Sequence, residues 1–133
     1  MSVKVLKTVL LLLWCLFIVF GAIALIEIVD TANEKYKVEK LEELAENEGI
    51  DVHYVTESEM PETGKKINAP GLIILQYDGT CDIYITHEWT DRPLILAHEI
   101  AHFYAITYEN DKSESRAWEI GYILLNKFKY ERK

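Results

Sequence analysis

Leu94-Ile95-Leu96-Ala97-His98-Glu99-Ile100-Ala101-His102-Phe103-Tyr104 is an apolar run broken by two histidines and one glutamate in the pattern H-E-x-x-H. At 3.6 residues per turn, His98 and His102 lie one above the other on one helix face, where two imidazoles can converge on a single ion. Glu99 sits about 100° round the helix from His98, too far for a comfortable third ligand but able to reach a water on the same ion. That is the position of a general base. The run is otherwise fit for full burial, and three ionisable groups buried there unpaired would cost several kcal/mol. A divalent cation satisfies them directly; histidines that are merely core residues are the competing reading.

Outward from this run, Asp91-Arg92-Pro93 opens the helix, with Asp91 as N-cap and Pro93 in the first turn. The helix is expected to reach about Tyr108, and residues 109–112 form a turn before a last helix over 113–129. Ala117, Ile120, Gly121, Leu124 and Leu125 make the apolar side of that last helix. Upstream, 72–77 and 81–86 are β-branched and aromatic runs joined by Asp78-Gly79-Thr80, a strong hairpin signal. In the second run Cys81, Ile83 and Ile85 alternate with Asp82, Tyr84 and Thr86, the pattern of an edge or half-exposed strand. Residues 51–55 read as a further strand and 56–70 as a long loop. Residues 31–48 read as a charged amphipathic helix, with Val38, Leu41, Leu44 and Ala45 at helical spacing and Asn47 and Gly49 as its stop. The expected fold is α+β: a small domain over 31–133 whose three-stranded, largely antiparallel sheet packs on helices.

Ahead of that domain, residues 9–26 contain no charge and are rich in Leu, Ile and Val, long enough to span a bilayer. Residues 1–30 therefore read as an N-terminal transmembrane anchor in a single-pass membrane protein. The alternative is a signal peptide cleaved near Ala22-Ile23-Ala24, which would leave a secreted protein. Lysines on both sides of the run leave the orientation open. The formal net charge of −8 falls wholly on residues 31–133, because residues 1–30 hold two basic and two acidic side chains. So acidic a domain is a poor partner for nucleic acid, and its basic C-terminal residues suit a helix C-terminus. The two cysteines, Cys15 in the apolar run and Cys81 beyond it, supply neither a disulfide within the domain nor a C-x-x-C site.

A catalytic zinc ordinarily takes three protein ligands and keeps a fourth position for water. His53 and His87 precede the motif, while Glu109, Glu114 and Glu119 follow it. Glu114 is the best placed, in the first turn of a helix that must fold back beside the central one. The same residue fits a capping box with Asp111 as N-cap, a role that needs no metal, and the spacing leaves both open.

Several segments in order resemble the ImmA/IrrE-type zinc metallopeptidases of the gluzincin group. An amphipathic helix leads into residues 49–55, and a hairpin ends in Asp82-Ile83-Tyr84-Ile85-Thr86. Residues 91–102 then resemble R-x-x-x-x-A-H-E-x-x-H, and Glu114-Ser115-Arg116-Ala117-Trp118 resembles E-x-E-A-N/D, with Arg116 and Trp118 departing from it. The similarity covers about residues 33–126. It implies a zincin-like domain in which His98, His102 and Glu114 hold Zn2+ and Glu99 is the catalytic base. It also implies that residues 82–86, through Asp82, Tyr84 and Thr86, pair with an extended protein or peptide substrate. Tyr84, His87, Tyr104 and Tyr108 are available to assist the oxyanion. The function so implied is a membrane-anchored zinc metallopeptidase that hydrolyses peptide bonds. The rival is a membrane-tethered binding or regulatory module on the same scaffold without catalysis.

Overall fold

The structure, a computed structural model, describes residues 2–86 and 91–128. His87, one of the four residues available to assist the oxyanion, and the basic residues after Phe128 lie outside them. Contacts divide the chain into two units, Met1–Asn33 and Glu34–Lys133.

Helix α1 is assigned from Val3 to Asn47. It covers both the stretch read as anchor and the stretch read as amphipathic helix, with no Pro or Gly-rich turn between them. Within the first unit, Val3–Ile26 has a mean hydropathy of 3.1 and none of its span is buried. It is long and apolar enough to cross a membrane, a property that a signal sequence shares.

In the second unit the end of α1 buries Leu41 and Ala45, and Gly49 at φ 73° turns the chain into β1, Ile50–Val55. A 3-10 turn, Glu57–Glu59, and a short helix α2, Glu62–Ile67, follow. The expected loop is thus partly helical, and Met60 within it is buried, anchoring the segment. Strands β2, Gly71–Leu75, and β3, Cys81–Thr86, form the expected hairpin. Its turn is closed by Gln76 N–H donating to Thr80 O at 2.8 Å, with Gly79 at φ 89°. Helices α3, Arg92–Glu109, and α4, Glu114–Lys127, complete the chain.

The sheet order is β1-β3-β2, with β1 parallel and β2 antiparallel to β3. The sheet is therefore mixed, which corrects the largely antiparallel expectation. Only β2 and β3 are joined by a tight turn; the segment carrying α2 lets β1 dock on the other side of β3 in the same direction. β3 is consequently central, which overturns the edge alternative for residues 81–86 and leaves the half-exposed one, with Asp82 and Tyr84 partly exposed. One face of β3, Cys81, Ile83 and Ile85, joins Leu96, Ile100 and Phe103 of α3 and Leu124 of α4 in the core. Asp82 and Tyr84 alternate onto the opposite face.

Candidate metal centre

Four residues, Asn110 to Ser113, link α3 and α4, so the two helices pack side by side and antiparallel. Asn110 in the left-handed region (φ 51°) makes the reversal. Ser113 is the N-cap of α4: its hydroxyl accepts from Arg116 N–H at 3.3 Å. Asp111 instead accepts from Ser113 N–H at 2.8 Å. The capping box with Asp111 as N-cap and Glu114 at the third helical position does not form. Glu114 is the first residue of the helix, and its carboxylate turns to the histidines.

Glu114 Oε2 lies 2.9 Å from His98 Nε2, and Oε1 lies 3.1 Å from His102 Nε2. The two imidazoles meet nearly edge to face, with centroids 4.7 Å apart. One ligand atom from each of the three residues lies within 4.8 Å of the others. A tetrahedral ion with bonds of about 2.0–2.2 Å separates its ligand atoms by roughly 3.3 Å, so the group is gathered at metal-binding spacing. Two imidazoles and one carboxylate form a donor set suited to a divalent cation and leave a position over. His98 and His102 are buried, whereas the Glu114 side chain is 71 % exposed, so the cluster opens to solvent.

The electrostatics agree with that donor set. Burial, and then the neighbouring His102, hold the His98 pKa below the ordinary imidazole value, while Glu114 opposes the shift. Burial pushes Glu99 up to about 8, and the charge of Glu114 adds to the rise. Glu99 is 7 % exposed and rests against Gly71, the first residue of β2. A β-carbon at position 71 would lie 3.0 Å from Glu99 Cγ and 3.1 Å from its Oε1.

The remaining candidates are committed elsewhere. His53 Nε2 pairs with Asp82 Oδ1 at 2.9 Å, and its ring stacks on Tyr84, both on the sheet face away from α3. Arg116 binds Glu109 at 2.6 Å and Glu119 at 2.9 Å, which removes both glutamates from the ligand search. Thr86 is buried, and its backbone N–H and hydroxyl both donate to Pro70 O. Since β3 is hydrogen-bonded along both edges, Asp82, Tyr84 and Thr86 offer no edge for an added strand. Tyr104 and Tyr108 donate to Glu48 at 3.1 and 3.4 Å.

The sequence reading assigned no role to Gly71, and Trp118 entered it only as a departure from the resembled motif. Gly71 follows Pro70 at the start of β2, and only the fold brings it against Glu99. Trp118 lies four residues after Glu114, hence on the same face of α4, and its ring centroid is 4.0 Å from that of His98. That spacing was the available signal. Comparison with protein families, with characterised proteins and with solved structures finds no match to this chain.

Proposed function

We propose that this protein is a zinc metallopeptidase of the zincin type, anchored in a lipid bilayer by Val3–Ile26, that hydrolyses peptide bonds of a protein or peptide substrate. The observation that carries the reading is the convergence of His98, His102 and Glu114 beside the buried carboxyl of Glu99. The three would hold Zn2+ through two imidazole nitrogens and one carboxylate. When bound, zinc supplies a Lewis acid for the attacking water and for the substrate carbonyl. Glu99 takes a proton as the water oxygen bonds to the carbonyl carbon, then delivers it to the amide nitrogen as the C–N bond breaks. Burial raises the affinity of Glu99 for that proton. With β3 enclosed, an extended substrate would pair instead with the outer edge of β2, which begins at Gly71 beside Glu99.

The test is the full chain in detergent: bound zinc by atomic absorption and cleavage of an unstructured protein, for wild type and Glu99→Gln. One zinc per chain is expected, with turnover lost on the substitution and on chelation. Turnover that survives Glu99→Gln removes the mechanism. A second reading, a tethered module that binds without hydrolysis, is favoured by one observation. The Tyr104 and Tyr108 hydroxyls are engaged with Glu48, and Tyr84 lies on the far face, so none of the three is poised to hold an oxyanion. Stoichiometric zinc with no turnover on peptides or proteins would assign that reading.

A further inference from the structure

We propose that Trp118 is the positioning residue for His98 and that it leaves the cation of this site loosely held and exchangeable. The inference rests on the metal-centre reading above and concerns how firmly the ion is kept. His98 faces Glu114 through Nε2, so a metal shared with Glu114 would take that nitrogen. A neutral imidazole ligated at Nε2 carries its proton on Nδ1. In this protein Nδ1 of His98 is buried and has no hydrogen-bond partner among the described residues. Ligand histidines ordinarily donate that N–H to a carboxylate, a backbone carbonyl or a water, which fixes the ring and raises its basicity.

The residue that packs on the ring here is Trp118, with planes inclined by 38°. An indole N–H is a donor only, so this side chain cannot accept from Nδ1–H through a lone pair. It restricts the imidazole by contact alone. Gly121 brings α4 close enough for this, since a β-carbon there would stand 3.4 Å from the His98 Cα. Tyr122, with its ring 6.0 Å from that of Trp118, lies behind the indole. Among the described residues the ring is thus placed without the acceptor that would strengthen its bond to a metal, and occupancy should follow the free metal concentration.

The experiment measures Zn2+ affinity of the full chain in detergent by competition with a chromogenic chelator, and Co2+ binding by its visible absorption. The variants are Trp118→Phe, Trp118→Ala, Trp118→Asp, Trp118→Glu and His98→Ala. The Phe variant is expected within about threefold of wild type, while Ala loses about tenfold or more because the ring is released. Asp and Glu offer the missing acceptor at two lengths, and at least one should tighten binding by about 10–100-fold and shift the Co2+ band. A role in folding alone predicts weaker binding in every variant and no gain in any. Folded Ala with unchanged affinity, or folded Asp and Glu that both bind no better than wild type, overturns the role of Trp118. If neither acidic variant folds, the contrast between Phe and Ala decides. A wild type that binds Zn2+ and Co2+ no better than His98→Ala removes the metal centre itself, a result distinct from either.

Discussion

Glu114 stands at the point where two roles for one carboxylate separate. Because Ser113 caps α4, replacing Glu114 leaves the cap in place and removes only a first-turn charge, and the ion pairs its carboxylate makes are those to His98 and His102. Glu114→Ala is therefore expected to leave the far-ultraviolet circular dichroism unchanged while zinc affinity falls by more than the 10–100-fold typical of an outer-shell residue. Loss of helix with intact zinc binding would reverse the assignment. Cys81 supplies a prediction of another kind. Its thiol is 2 % exposed, and burial, helped by Asp82, Asp51 and Glu99, pushes its pKa up to about 11. The folded state binds the proton more tightly than the unfolded one, so this group's stabilisation is full below the ordinary value of 9.0 and is lost as pH rises through about 11. Alkylation of Cys81 in the folded protein, followed by peptide mass spectrometry, should be negligible at pH 8 and climb about tenfold per pH unit until the thiol ionises. Rapid labelling at pH 8 would show that the β3 core face opens.

Among the elements, β2 and α3 approach closely at Gly71. A β-carbon on Gly71 would approach Ile95 Cγ2 to 2.7 Å as well as crowding Glu99. Gly71→Ala should cost about 1–3 kcal/mol in stability, as overpacking does, and lower kcat while zinc affinity holds. Equal falls in zinc affinity and kcat would show that the strain spreads to the histidines instead. The pair Gly71 and Glu99 also shows what was legible beforehand. The histidines and Glu99 were readable because helical spacing is a local property, and the hairpin because Asp78-Gly79 is a local turn. Strand order is not local. Nothing in residues 50–55 says which edge of β3 they choose, so the mixed sheet and the enclosure of residues 82–86 escaped the pattern. Glu114 was legible in part: the short connection placed it beside α3, but a capping box with Asp111 as N-cap left its side chain undecided until the backbone made Ser113 the cap. Trp118 could be placed on the face of Glu114, yet its contact with His98 depends on how α4 lies against α3.

For the molecule as a whole, the proposed metal centre would tie α3 to α4, the two helices that carry much of the core of the second unit. An ion bound there in the native state, and nowhere in the unfolded chain, stabilises that unit by mass action. At a free zinc concentration of about 100 times Kd the gain is about 2.7 kcal/mol, which for a unit of about 100 residues corresponds to a Tm rise of about 10–20 °C. Near-ultraviolet circular dichroism of the full chain is the suitable probe, because it reports side-chain packing rather than the long apolar helix. The net charge of −8 raises a competing explanation, that any divalent cation would relieve self-repulsion. The two differ in selectivity. Screening responds to Mg2+ as to Zn2+, whereas two imidazoles prefer Zn2+ and bind Mg2+ poorly. The expected outcome is a large rise with Zn2+, reversal by a chelator, little change with equimolar Mg2+, and a flat response in His102→Ala. Equal shifts with both ions, or an undiminished shift in His102→Ala, would place the stabilisation in surface charge and leave the three side chains as a hydrogen-bonded cluster.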